Sequence, residues 1–109
     1  MEELVKIVVF VPPNSADKVR QAMGDAGAGL IGKYSHCTFS SVGYGRYKPL
    51  EGAKPAIGEV GRFEKVEEER VETVCPKHKA KKVIGAIKKA HPYEEVALDI
   101  YPVIREEEL

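Results

Sequence analysis

The segment His91-Pro92-Tyr93-Glu94-Glu95-Val96-Ala97 joins a predicted helix to a predicted strand, and the architecture can be worked outward from it. On its amino-terminal side, apolar residues at helical spacing from about Lys77 to Ala90 predict the second helix of the chain. Pro92 stops this helix, because the residue before a proline is biased away from helical geometry. On its carboxyl-terminal side, Val96 to Tyr101 predicts the last strand.

The first part of the chain predicts a strand followed by a helix. Val5 to Val11 is a nearly continuous β-branched run, which is typical of a strand buried on both faces. The two prolines after it end the strand, since proline cannot donate to a sheet ladder. Asn14 or Ser15 then caps a helix. Gly27 supplies its stop, so a strand and a helix occupy the first quarter of the sequence.

The middle of the chain is predicted to be irregular. His36 to Ser41 alternates loosely and predicts a second strand, whereas Val42 to Gly61 contains glycine and proline too often for a long regular element. A short strand is expected within Ile57 to Phe63. Glu67 to Glu69 predicts an exposed charged turn, and Arg70 to Cys75 predicts a further strand rich in β-branched residues.

The resulting order of elements, β-α-β-(β)-β-α-β, predicts an α+β fold. Two helices on one face of a mostly antiparallel sheet form the ferredoxin-like arrangement, and the two βαβ halves suit right-handed crossovers. The opposite face of the sheet must then be polar or be covered. Self-association is one common way to cover it, so we expect a homo-oligomer.

Composition excludes several classes of protein. The chain has 109 residues, with 17 basic and 17 acidic side chains and a formal net charge of +0, which argues against a dedicated nucleic-acid binder. No apolar stretch approaches the roughly 20 residues that span a bilayer. The first residues lack the features of a signal peptide. Cys37 and Cys75 form no CxxC pair, so we expect two reduced thiols in a cytoplasmic protein.

Three residues of the opening segment are candidate metal ligands. His91, Glu94 and Glu95 offer imidazole nitrogen and carboxylate oxygen, the donors that divalent ions take in proteins. A metal site needs more ligands than these, so His36, Cys37 or a neighbouring subunit would have to contribute. The alternative is structural, with His91 ending the helix and the glutamates capping it or pairing with lysines.

The stretch Gly43-Tyr44-Gly45-Arg46-Tyr47-Lys48 is a candidate ligand-binding loop. Gly43 and Gly45 expose backbone N–H groups, while Arg46 and Lys48 add positive charge for a phosphate or carboxylate. Either tyrosine could stack on a ring. The stretch matches neither GxGxxG nor GxxxxGK[ST], so it is not a recognised nucleotide fingerprint. A hairpin loop packed on a partner subunit is the alternative.

Three stretches resemble hallmark sequences of one family. Gly32 to Pro49, Glu51 to Gly58 and His91 to Ala97 are similar to the YqfO (Nif-three-like) family, and the resemblance covers about Lys6 to Val103. In long members of that family this stretch is a domain inserted in a larger metal-binding protein. The resemblance implies that residues 1–109 are a single domain, a standalone version of that insert.

The inserted domain is similar to the PII and CutA folds. The block His91-Pro92-Tyr93-Glu94 resembles one found in CutA-type proteins between the second helix and the next strand. Those proteins are trimers with ligand or ion sites between subunits, so the resemblance implies a trimer here. The two-metal cluster of the long family members lies in the flanking domain, and no part of that domain is present in this sequence.

Three functions remain open from the sequence. The leading hypothesis is a non-enzymatic PII/CutA-like regulatory or binding module that takes a divalent metal ion or a small anion near subunit boundaries. The first alternative is a metal-assisted hydrolase, which would need an open metal position and a bound water. The second is a docking domain that binds another protein and takes no small ligand.

Overall fold

The computed structural model describes residues 2–109 and contains two helices against one four-stranded sheet. The elements, in chain order, are β1 (Leu4–Val11), α1 (Pro13–Asp25), β2 (Phe39–Tyr47), β3 (Glu64–Pro76), α2 (Ala80–Ala90) and β4 (Leu98–Val103). Short 3-10 turns at Lys77–Lys79 and Glu106–Glu108 flank the last two elements. The order matches the predicted alternation of strands and helices.

The sheet has the strand order β2-β3-β1-β4, and every neighbouring pair is antiparallel. Leu4 at the start of β1 pairs with Pro76 of β3 on one side and with Val103 of β4 on the other. This is the ferredoxin-like topology, so the fold class predicted from the sequence is confirmed.

The core lies between the helices and one face of the sheet. Alternate residues of β1 and β3 point to this face because side chains on a strand alternate with period two. The helices contribute apolar residues at spacings of three and four. The fully buried members of this cluster are Ile7, Val9, Val11, Ala16, Val19, Met23, Val71, Val83 and Ile87. The other residues of β1 and β3, at even positions, point to the face without helices, which we call the open face.

The sequence prediction was wrong for the middle of the chain. β2 does not end at Ser41 but continues to Tyr47, through glycines that were expected to break it. Glu67 to Glu69 is not a turn, since it forms part of β3 and pairs with Val42 to Tyr44 of β2. Ile57 to Phe63 contains turns and bends instead of a strand. Cross-strand pairing therefore overrides the local turn signals.

Smaller differences concern the ends of elements. Pro12 occupies the N-cap position of α1, and neither Asn14 nor Ser15 caps it because both lie inside the helix. His36 precedes β2 and adopts a left-handed backbone conformation with φ of 59°. β4 begins at Leu98, two residues later than predicted. Cys37 and Cys75 are free thiols. In the described part of the chain, no helix is both long and apolar enough to cross a membrane.

Candidate functional site

A cleft of about 710 Å³ opens on the open face of the sheet. Its floor comes from the β2–β3 hairpin, with Gly43, Gly45, Glu68 and Arg70 among the lining residues. One wall is the loop after β2, from Pro49 to Ile57, and the other is the segment that follows α2. All four residues predicted to bind a ligand line this cleft, together with Glu94 and Glu95, so the two candidate segments of the sequence meet in space.

The two glycines of β2 create the floor of the cleft. Gly43 pairs with Glu68 across the hairpin. Glu68 is at an even position of β3, so both residues lie on the open face. A Cβ atom built on Gly43 would meet no other atom within 4 Å, so this part of the cleft is empty space. A Cβ atom on Gly45 would overlap Oε1 of Glu68, because the Glu68 side chain crosses over the Gly45 backbone.

Glu68 is a buried carboxylate in this cleft, with 9% of its surface exposed. Among residues 2–109, it forms no ion pair with a lysine, arginine or histidine. The nearby polar groups are the phenols of Tyr47 and Tyr93. Burial raises the pKa of Tyr93 above its ordinary value, and the negative charge of Glu68 raises it further. Burial also raises the pKa of Tyr47, with smaller contributions from Glu64 and Glu68.

Aromatic side chains form one side of the cleft. The rings of Tyr47 and Tyr93 are tilted by 57° with their centroids 6.4 Å apart, a favourable geometry for an aromatic pair. The Tyr47 hydroxyl donates a 2.6 Å hydrogen bond to the carbonyl of Ile57, which ties the loop after β2 to the strand. The Tyr93 hydroxyl is buried and, in the described chain, has no hydrogen-bond partner.

Positive and negative groups both line the cleft. The Lys48 ammonium lies 5.1 Å from the centroid of the Phe63 ring, and Arg46 forms no ion pair within residues 2–109. Arg70 is held by Glu72, with 3.4 Å between Nε and Oε2. Arg46 pairs with Lys65, so its side chain points to the other face of the hairpin and only its backbone borders the cleft. Lys48 and Arg70, whose Nε atom forms no hydrogen bond in the described chain, are the cations that line the cleft.

His91 is held by two hydrogen bonds at the end of α2. Its Nε2 atom lies 2.7 Å from the carbonyl oxygen of Phe10, and its Nδ1 atom accepts a 3.1 Å hydrogen bond from the backbone N–H of Tyr93. A carbonyl can only accept, so Nε2 carries the proton and Nδ1 supplies its lone pair to Tyr93. A metal ion at His91 would have to break one of these bonds, so its predicted ligand role gains no support from the geometry.

Two of the other predicted metal ligands, Glu94 and His36, are already engaged elsewhere. Glu94 accepts a 3.0 Å hydrogen bond from the backbone N–H of Lys54. His36 lies against the end of α1, with Nε2 2.9 Å from Asp25, and this contact lowers the Asp25 pKa. α1 runs back along the sheet, so His36 is not brought together with His91. No group of three or more His, Cys, Asp or Glu side chains in residues 2–109 is arranged to hold a metal ion.

Sequence reasoning missed Glu68 and the buried hydroxyl of Tyr93. Glu68 was placed in an exposed turn, because three consecutive glutamates usually indicate a solvated surface. The spacing Gly43-x-Gly45 was a usable signal once β2 was recognised as a strand, because two glycines on one face of a strand indicate that another group approaches the backbone closely.

The chain is similar to segments of longer curated proteins, although no family model matches it. It is 61% identical over 102 residues to the GTP cyclohydrolase 1 type 2 homolog of Bacillus subtilis and 52% identical over 107 residues to the protein of that name from Halalkalibacterium halodurans. The matches cover 94% and 98% of this chain but only 27% and 29% of the relatives. The chain thus spans under a third of their length, and the resemblance found in the sequence is confirmed.

Solved structures give the same result. A Bacillus cereus protein related to NIF3 superposes with a TM-score of 0.84 and 55% identity, covering 95% of this chain and 26% of that one. The periplasmic divalent cation tolerance protein CutA of Archaeoglobus fulgidus gives a TM-score of 0.68 at 16% identity, over 94% and 85% of the two chains. The Bacillus subtilis GlnK–ATP complex gives 0.64 at 15% identity, over 94% and 84%. At such low identity, CutA and GlnK establish the fold alone.

Proposed function

Because the chain is homologous to one segment of the YqfO (Nif-three-like) proteins, we propose that it is a PII/CutA-like binding or regulatory module for a small anionic ligand of the nucleotide type. We assign residues 1–109 to one domain. The activity of the longer relatives is not assigned to it, since the chain spans 27% of the Bacillus subtilis protein. The proposal concerns the cleft on the open face.

The single observation that carries the proposal is that β2, with Gly43 and Gly45, and the segment after α2 line the same cleft. Its volume of about 710 Å³ is in the range of small-molecule sites. Lys48 and Arg70 line it and can bind phosphate oxygens, since Lys48 has no acidic partner and the Arg70 Nε atom has no hydrogen bond within residues 2–109. Tyr47 and Tyr93 offer rings against which a base can pack.

The likeness to GlnK supports a nucleotide over other anions. That protein has the same fold and was solved as a complex with ATP. A nucleotide also satisfies the mixed lining of this cleft, because it combines a planar, largely apolar base with a polyanionic end. Glu94 and Glu95 line the wall opposite the glycine strand and are expected to face the ligand.

Calorimetric titration with ATP and with GTP tests the proposal. Gly43→Val places a side chain in the empty floor of the cleft without meeting another atom, so it should abolish binding and leave the fold intact. Gly85→Ala is the matched control, because a Cβ atom on that α2 glycine also meets nothing within 4 Å. Failure of both nucleotides to bind the wild-type chain would contradict the proposal.

A metal-assisted hydrolase and a bound divalent ion gain less support. Hydrolysis of that kind needs a metal with an open position, and the described residues contain no cluster of ligands for it. A docking domain without a small ligand would leave the cleft unused. Neither alternative explains why Lys48, Arg70 and the two tyrosines line one cavity.

We further propose that the protein is a cytoplasmic homo-oligomer, with a trimer favoured. Free Cys37 and Cys75 support a reducing compartment. Large apolar side chains exposed on the strands and loops support self-association, since contiguous exposed apolar surface usually marks an interface. They include Phe39, Val42, Leu50, Phe63 and Ile104.

A further inference from the structure

We propose that Glu68 determines the specificity of the cleft by accepting a pair of N–H donors from the ligand, such as those on the ring edge of guanine. This inference rests on the proposed nucleotide-binding function and adds the chemical class of the base. Glu68 is nine-tenths buried, and its carboxylate lines the cleft.

The carboxylate is positioned by a glycine. Gly45 lies two residues along β2 from Gly43, which pairs with Glu68, and only the absence of a Cβ atom there allows Oε1 of Glu68 to occupy its place. The Glu68 side chain is thus laid along the floor of the cleft and cannot extend away from the hairpin as an exposed glutamate would. Gly45 acts as a positioning residue for this carboxylate.

The carboxylate also lacks a cation of its own. Burying a charged group without a partner is costly, so such a group is usually paired when the protein acts. Arg70, the nearest basic residue along the same face of β3, is held by Glu72 at 3.4 Å. The hydroxyl of Tyr93 is likewise buried without a partner in the described chain. Glu68 thus has a phenol beside it but no cation, which leaves its carboxylate able to accept N–H donors from a ligand.

The geometry of a carboxylate selects the class of ligand group. Its two oxygens can accept two parallel N–H bonds, as from a guanidinium or from N1–H and the 2-amino group of guanine. The rings of Tyr47 and Tyr93 beside it suit a planar group. Adenine offers only one donor on its pairing edge, next to an acceptor nitrogen that a carboxylate would repel.

Calorimetric titration of wild type and Glu68→Gln with GTP, ATP and free arginine tests the inference. We expect wild type to bind GTP about ten-fold or more tightly than ATP, since a hydrogen bond to a charged group commonly contributes this much. Glu68→Gln should reduce the ratio to about one. Gly45→Ala, which displaces the carboxylate without removing it, should act in the same direction. Glu67→Gln, an exposed neighbour on the other face of β3, is the control and should bind as wild type does.

The outcomes separate this inference from the proposed function. Equal binding of GTP and ATP that Glu68→Gln does not change would overturn the role of Glu68 and leave the nucleotide proposal standing. Binding of arginine that requires Glu68, without binding of either nucleotide, would support Glu68 as a receptor for paired N–H donors and refute the nucleotide. If none of the probes binds in a way that depends on Glu68, the inference is overturned.

Discussion

Glu68 and Glu69 are adjacent on β3 but face different environments. Glu69 points toward the helices, where it forms a 2.6 Å ion pair with Arg20, and both side chains are largely buried. The hydrogen bonds that Arg20 donates to Asp17 and to Glu69, in that order of importance, raise the Arg20 pKa, so the guanidinium stays charged. We therefore predict that Glu69→Gln lowers the free energy of unfolding by about 1 kcal/mol.

The same substitution at Glu68 serves as its control. Glu68→Gln removes a buried charge that has no cation in the described chain, so the unliganded protein should be at least as stable as wild type. Urea denaturation of both variants measures the difference. Equal destabilisation by the two changes would show that Glu68 contributes to folding and that its burial needs no ligand to explain it.

Two helix glycines have opposite surroundings. A Cβ atom on Gly24 of α1 would overlap the His36 ring, whereas one on Gly85 of α2 would meet nothing. Glycine inside a helix costs roughly 0.5–1 kcal/mol relative to alanine, so Gly85→Ala should stabilise the protein by about that amount. Gly24→Ala should destabilise it, because the ring must leave its place and its contact with Asp25.

Thermal denaturation of the two variants measures this contrast. The double variant Gly24→Ala/His36→Ala should recover part of the loss, since it removes the ring that the new methyl group overlaps. Stabilisation by Gly24→Ala alone would contradict the packing of His36 against α1.

Tyr93 should make the protein sensitive to alkaline pH. Its pKa is raised by burial first and by Glu68 second, so the folded state keeps the phenol neutral where the unfolded chain ionises it. Stability from this group is complete below the unfolded pKa of about 10 and is lost as the pH rises above it. Tyr93→Phe should weaken this dependence, with little cost at neutral pH because the hydroxyl has no partner within residues 2–109.

Ultraviolet absorbance of tyrosinate, recorded with urea denaturation across alkaline pH, checks the prediction. Tyr101→Phe is the matched control, since that ring is 42% exposed on β4. If Tyr93→Phe and Tyr101→Phe changed the alkaline loss of stability equally, the buried phenol would not be its source.

At the scale of elements, the periodicity of apolar residues predicted the strands and helices that bury a regular apolar face. β1, α1 and α2 follow from alternation or helical spacing, because burial against one core imposes that pattern. Only the first residues of β2 were predicted, because Gly43 and Gly45 are poor strand residues and pairing with β3 supplies what local propensity lacks. The long Glu64–Pro76 strand was likewise obscured by glutamates that alternate between two faces.

The candidate site could be predicted only as two separate segments. Each carried a chemical signal in its own residues, but their contact joins parts of the chain that are far apart in sequence, as in the hydrogen bond from Lys54 to Glu94, 40 residues apart. Periodicity and spacing contain no information on such a contact. Glu68 was hidden for a further reason, because its burial depends on a glycine of the partner strand.

An imidazole links the segment after α2 to β1. His91 bridges the carbonyl of Phe10 and the N–H of Tyr93, and 6% of its surface is exposed. We predict that His91→Ala lowers the free energy of unfolding by about 1–3 kcal/mol, because it leaves buried backbone groups without partners. Treatment with a chelator should not change the melting temperature of wild type. A chelator effect that His91→Ala abolishes would restore the metal-ligand role.

For the whole molecule, we expect the open face of the sheet to be the surface through which copies associate. Phe39 pairs with Glu72 at the edge of the sheet, so it projects from the open face, where 69% of its surface is exposed. β2 is an edge strand, and an exposed edge with a large aromatic side chain favours association. We predict that wild type sediments as a homo-oligomer, with a trimer favoured, and that Phe39→Glu yields monomers.

Sedimentation velocity over a range of protein concentrations measures this. Tyr34→Glu is the matched control, since it places the same charge on an aromatic residue that is 75% exposed but lies in the turn before β2. It should leave the oligomer intact. The ligand titrations are then repeated on the Phe39→Glu monomer to test whether one chain forms the complete cleft. Unchanged affinity would place the whole site within a protomer. Lost affinity with an intact fold would mean that a neighbouring copy contributes to the site. A wild-type chain that stays monomeric at every concentration would refute the oligomer and leave the cleft to be explained by the single chain.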